Sequence, residues 1–296
     1  KGLAGYFSLT MSHVPDAAGL NAQGTTAPYG LLTIISTLAW GLGYFGMPHI
    51  LLRFMAIEDE RKLKLSRRIA SVWVVIAMGT AVIIGVIGLC MTRNGVIPAL
   101  TDASSAETVI VEIAHRLSTF GFVPALLGGV ILSGILASTM STADSQLLAA
   151  SSSVSQDILT SFFGVRLSGK NLMRVARGSL LVISVTGIIL AWNPENSVFR
   201  IVSFAWAGFG ASFGPLVLVA LFWRRANRQG AFAGMIVGGV MVFVWKFLVR
   251  PLGGLFGIYE LLPAFICSIL AIVIVSLLTP APDSEVTDTF DKVAAM

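Results

Sequence analysis

Between Leu136 and Ser145 the chain reads Leu-Ala-Ser-Thr-Met-Ser-Thr-Ala-Asp-Ser, a hydroxyl-rich run inside a segment otherwise apolar enough to cross a membrane. Ser138, Ser141, Thr142 and Ser145 stand at i, i+3, i+4 and i+7, which places four hydroxyls on one helical face. In lipid such a stripe must face something other than lipid. Several neutral oxygens close together suit a hard, weakly held cation such as sodium, and suit a transition metal poorly, because those metals prefer nitrogen or sulfur. Asp144 stands beside the stripe. It offers a point that draws a released cation toward the cytoplasm, a structural partner for a base such as Arg177, or a helix cap.

A second constellation lies at Trp40-Gly-Leu-Gly-Tyr44-Phe-Gly46-Met-Pro48-His49. Three glycines and a proline within nine residues interrupt a helix strongly. Counted from Leu31 at about 1.5 Å per residue, Gly43 lies roughly 18 Å deep, near the middle of a hydrocarbon layer about 30 Å thick. Backbone released from a helix at that depth must line a protein-enclosed cavity, where it can bind a ligand. Trp40 and Tyr44 are four apart and would share a face, so their rings can enclose a small apolar ring or side chain. His49 follows the break and reads as a structural histidine before it reads as a proton carrier.

The elements that position these residues are legible from composition. The chain has 296 residues, of which 55% are hydrophobic and 12% charged, whereas soluble domains carry roughly 25% charged residues. The expectation is an all-α polytopic membrane protein of about seven transmembrane helices. Seven apolar segments run near 30–56, 69–91, 121–154, 172–192, 198–223, 231–249 and 257–278. Residues 1–29 read as an external loop, 30–279 as the transmembrane domain and 280–296 as a cytoplasmic tail.

The net charge of +5 resides in connectors: Arg61, Lys62, Lys64, Arg67 and Arg68; then Arg166, Lys170, Arg174 and Arg177; then Arg224, Arg225 and Arg228. The positive-inside bias places these three connectors, and the C-terminus, in the cytoplasm. The basic residues therefore signal orientation and lipid contact, not nucleic-acid binding. Cys90 and Cys267 lie inside apolar segments and form neither a disulfide framework nor a metal pair. There is no nucleophile–base pair in a plausible aqueous site, so no catalytic residue is assigned and an enzyme is not expected. The connector from Thr101 to Thr119 carries Val109, Ile110, Ile113 and Leu117 at helical spacing. It predicts an amphipathic helix lying over an outer vestibule. Gly208, Gly210 and Gly214 offer small faces for close helix approach, and Pro215 a kink.

Three passages carry a family resemblance. They are Ala39–Ile50 with Arg53–Met55; Met140-Ser-Thr142 with Gln146–Leu148; and Asn193-Pro-Glu-Asn196 leading into Ala205–Pro215, then Gly230–Met235 and Val244–Lys246. In this order they resemble the sodium:solute symporter family, and within it the bacterial sodium/proline symporters. The resemblance covers nearly all of 28–278. It implies a leucine-transporter-like inverted-repeat fold of which this chain holds the second repeat and two following helices. The N-terminal helices of the same transporter are then expected to precede Lys1.

The resemblance also assigns residues. It implies that Ser141 and Thr142 ligate the coupling sodium ion and that Ser138 contributes through its backbone carbonyl. It implies that Trp40, Tyr44 and Pro48 belong to the substrate pocket, while Met47 stands where glutamine is expected. The function so implied is sodium-coupled import of L-proline by alternating access, with sodium, proline and membrane lipids as partners. The expected location is the bacterial plasma (inner) membrane. Another solute on the same scaffold, such as pantothenate, a monocarboxylate or another amino acid, is the alternative, followed by a membrane-embedded sensory module.

Overall fold

Every apolar segment expected from the sequence carries a helix in the computed structural model, which describes residues 10–11, 27–28, 30–100, 103–165, 168–192 and 198–295. The helices are α1 (Leu31–Gly43), α2 (Pro48–Met55), α3 (Leu63–Arg93), α4 (Ala103–Glu107), α5 (Val109–Ser118), α6 (Phe122–Ser152), α7 (Gly169–Leu190), α8 (Val198–Phe222), α9 (Arg228–Val244), α10 (Leu261–Leu278) and α11 (Ser284–Ala294). Among the described residues a two-residue strand pair, β1 (Thr10–Met11) against antiparallel β2 (Ala27–Pro28), is the exception to helical structure. Among the described residues six helices are long and apolar enough to cross a membrane, and seven spans result when α1 and α2, bent by 49°, are taken as one. The rest of the expected external loop, Arg166 and the Asn193–Asn196 motif lie outside the described residues.

The chain divides into two units. One comprises residues 3–56 and 198–296, the other 57–197. In the first, α8, α9 and α10 form a core around Ala207, Ala211, Val242, Leu261, Ala264 and Phe265. The reason is a row of small residues on α9. A Cβ on Gly234 would fall 2.2 Å from Ile272 of α10, and one on Gly238 would fall 2.2 Å from the Ala211 carbonyl of α8. Backbones can approach this closely only where side chains are absent, the usual basis of helix association in lipid. Hydroxyls reinforce the contact, as Ser268 Oγ donates to the Gly234 carbonyl at 2.8 Å. Asn227 caps α9 by accepting from Gly230 N–H at 2.9 Å and donates from Nδ2 to Thr279 and Pro280 at the end of α10. α8 runs on as one helix through Pro215.

The second unit is packed more sparsely. α5 lies on α6, where a Cβ on Gly128 would meet the Ala114 carbonyl at 2.8 Å, and on α3, where Gly88 receives Val109. The helix expected over 101–119 is two pieces. The Thr108 hydroxyl donates to the Ser105 carbonyl at 2.8 Å, ending α4, and Thr108 then stands at the cap of α5. α6 reaches α7 through Ser151 Oγ, which donates to the Ala176 carbonyl at 2.7 Å. Past Ser152 the helix continues as a π-helical stretch, Ser153–Phe162, so this span ends eight residues later than the apolar run indicated. The last span starts later than expected, at Leu261, because Gly254–Gly257 form a 3₁₀ turn and Tyr259 is held outside the helix.

Candidate functional site

The predicted break in the first span is present, and its chemistry is local. The Tyr44 N–H bonds the Gly41 carbonyl, three residues back, and Tyr44–Gly46 tighten into a 3₁₀ turn. Met47 is extended (φ −79°, ψ 116°), as a residue preceding proline should be, and Pro48 then opens α2 at a position where its missing N–H is harmless. The bend is seated on α8. A Cβ on Gly46 would meet the Phe209 carbonyl at 2.4 Å and Gly214 N at 2.8 Å, and a Cβ on Gly210 would meet the Gly43 Cα at 2.7 Å. Of the three α8 glycines singled out from the sequence, Gly210 and Gly214 therefore make the close approach, while Gly208 faces open space.

The Trp40 ring is part of an aromatic stack. Its centroid lies 5.0 Å from Phe199, 5.5 Å from Trp206 and 5.9 Å from Tyr259, with interplanar angles of 12–16°. Tyr44, half exposed, meets the edge of Trp206 at 4.8 Å and 83°. The two rings expected to share a face are thus linked through a third, Trp206, whose indole N–H also donates to the Trp40 carbonyl at 3.0 Å. Pro48 is exposed, His49 half-buried and Met47 buried.

Beyond the stack the same unit holds a buried charge cluster. The Glu260 carboxylate, 1% exposed, lies 3.1 Å from Arg250 and 3.5 Å from Lys246, and the Lys246 ammonium sits 4.0 Å over the Phe204 ring. Tyr259, next to Glu260, accepts no freedom either. Its N–H donates to Ser36 Oγ at 3.1 Å and its hydroxyl donates to the Ser203 carbonyl, tying α1 and α8 to the start of α10. Sequence reading missed Trp206, Tyr259 and Glu260. A signal for Trp206 was present, since it stands four and eight residues before Gly210 and Gly214, on the face of α8 that the glycines mark.

In the other unit, α6 is continuous through the hydroxyl stripe, so Ser138, Ser141 and Thr142 do share one face. All three are exposed. The Thr142 hydroxyl donates to the Ser138 carbonyl at 3.2 Å, and Ser145 Oγ donates to the carbonyls of Thr142 at 2.9 Å and Ser141 at 3.3 Å. These are the usual back-bonds of helical hydroxyls, made likewise by Thr37, Thr80, Thr139 and Thr186. Asp144 is exposed, and no ion pair joins it to Arg177 among the described residues.

Comparison with known proteins bears on these groups together. The model of the sodium:solute symporter family matches residues 5–238. The sodium/proline symporter of Escherichia coli (strain K12) is 42% identical over 266 residues, covering 89% of this chain and 51% of that protein. The high-affinity proline transporter PutP of Bacillus subtilis (strain 168) is 42% identical over 261 residues, covering 88% of this chain and 52% of that protein. The osmoregulated proline transporter OpuE of the same organism is 42% identical over 253 residues, with 85% and 49% covered. The chain spans about half the length of the curated relatives it matches. No solved structure matches it.

Proposed function

The chain belongs to the sodium:solute symporter family, and from that premise we propose that it forms part of a carrier coupling sodium entry to import of L-proline. The observation that carries this reading is its 42% identity, across nearly nine-tenths of its length, to proteins named for sodium/proline symport. In this reading N-terminal helices of the same transporter supply the rest of the carrier and, with α1–α2 and α3–α8, complete a leucine-transporter-like pair of inverted repeats. The carrier sits in the bacterial plasma membrane, with the connectors rich in arginine and lysine, and the C-terminus, in the cytoplasm.

In this reading the sodium ion takes the Ser138 carbonyl oxygen and the hydroxyls of Ser141 and Thr142. The continuity of α6 through this stretch, which sets the three residues on one face, supports the assignment. Proline is held at the interruption marked by Trp40, Tyr44 and Pro48, where an apolar pyrrolidine ring suits an aromatic wall and the zwitterion suits backbone released from the helix. Coupling follows from a conformation that both ligands favour, so each raises the other's affinity by the same factor. The driving work comes from the sodium gradient and the membrane potential, the latter worth about 2.3 kcal/mol per charge per 100 mV.

The test is counterflow of labelled L-proline in vesicles from cells that express the carrier from its own gene and lack other proline uptake. Sodium-dependent exchange is expected, abolished when choline replaces sodium. Exchange of pantothenate or a monocarboxylate in its place would overturn the substrate, and equal exchange in choline would overturn the coupling ion.

A further inference from the structure

We infer that Trp206 of α8 is the positioning residue for the substrate side chains on the broken helix, an inference that rests on the assignment of Trp40 and Tyr44 to the substrate pocket. Three independent contacts meet at this one indole. Its N–H donates to the Trp40 carbonyl at 3.0 Å, at the level where the Tyr44 N–H bonds Gly41. Its face stacks on the Trp40 ring at 5.5 Å and 15°. It packs at right angles to the Tyr44 ring, at 4.8 Å and 83°.

The helix makes room for it. A Cβ on Gly43 would lie 2.0 Å from Trp206 Nε1, so glycine at 43 is what admits the ring between the two side chains. Indole carries a donor and no acceptor, which matches it to a carbonyl at a helix break. One side chain therefore satisfies the backbone at the interruption and fixes the relative setting of two rings four residues apart. Trp206 touches neither ligand in the proposed scheme. It acts through Trp40 and Tyr44.

The experiment compares the carrier, expressed from its own gene, with Trp206→Phe and with benzothienylalanine introduced at position 206, which keeps the bicyclic shape and lacks the N–H. Losing the donor and part of the edge contact in Trp206→Phe is expected to raise the KM for proline roughly tenfold. The kcat, the membrane abundance and the half-saturating sodium concentration, each read at saturating proline, are expected to stay within about twofold of the parent. The isostere, which loses the donor alone, is expected to raise KM about threefold. A Gly43→Ala/Trp206→Ala double variant is expected to be no worse than Trp206→Ala alone, because the Cβ then has no indole to displace.

An unchanged KM in both 206 variants overturns the inference. So does a fall in abundance together with parallel changes in the proline and sodium constants, which marks a purely structural residue. If the parent carrier exchanges a different solute, the proline assignment fails while Trp206 is judged by the same KM comparison with that solute.

Discussion

The unit around the broken helix and the unit that carries the hydroxyl stripe are built from equally apolar helices, yet only the first buries them. The most apolar stretches of α3 and α10 have mean hydropathies of 2.6 and 2.8, but 6% of the first is buried and 33% of the second. The contacts that bury the first unit are made at small residues. α8, α9 and α10 meet through glycine, alanine and serine, so backbones approach within van der Waals distance and polar groups find partners. α3, α6 and α7 present Leu, Ile, Val and Met outward. Hydropathy assigns a segment to the membrane but not to a neighbour, and a small residue alone does not either, since Gly79, Gly85, Gly129, Gly134, Gly178 and Gly187 have nothing within 4 Å. The proposed substrate side chains thus sit on a helix seated within its own unit, whereas the proposed sodium ligands are exposed.

Substitutions at glycine break this contrast most directly. Gly46→Ala is expected to destabilise the chain in detergent by about 2–3 kcal/mol, because its Cβ would run into the Phe209 carbonyl and Gly214 N and neither atom can swing aside. Gly134→Ala on α6, with nothing within 4 Å, is expected to be neutral or stabilising by up to about 1 kcal/mol. Thermal unfolding followed by circular dichroism measures both. Equal losses would erase the distinction between the units.

Glu260→Ala tests whether charge as well as size holds the first unit. Removing a carboxylate that is 1% exposed from between Arg250 and Lys246 is expected to cost about 3 kcal/mol by the same measurement. Thr142→Ala sharpens the contrast from the other side. It is expected to leave stability within about 0.5 kcal/mol, since Thr142 is exposed. It is also expected to raise the half-saturating sodium concentration for uptake at least about tenfold, roughly 1.4 kcal/mol of ion binding. An unchanged sodium dependence would remove the hydroxyl stripe from the mechanism.

The smallest effect belongs to α11. Asp291 accepts two hydrogen bonds from Arg224 at 2.8 Å, and those bonds hold its carboxyl below the usual carboxylate range although the pair is half exposed. A depressed folded pKa means the contact is complete above the unfolded value, about 3.9, and is lost as pH falls through the lower folded value. Protease cleavage between Thr279 and Ser284 is therefore expected to stay constant from pH 7 to 5 and to rise below about pH 4. Asp291→Asn is expected to raise it at neutral pH. Salt at about 1 M is expected to do the same, because the pair is screened.

What the sequence determined by itself was local. Hydrophobic runs placed the spans, and three glycines with a proline placed the interruption in the first, because backbone propensity depends on residues only a few positions apart. The 3.6-residue period put Ser138, Ser141 and Thr142 on one face for the same reason. The tertiary structure decided which groups meet across distance in the chain. Trp206 donates to a carbonyl 166 residues away, and Tyr259 to a hydroxyl 223 residues away. No periodicity encodes such pairings. They exist because close packing at Gly43, Gly46, Gly210 and Gly214 brings two helices near enough for those donors to reach.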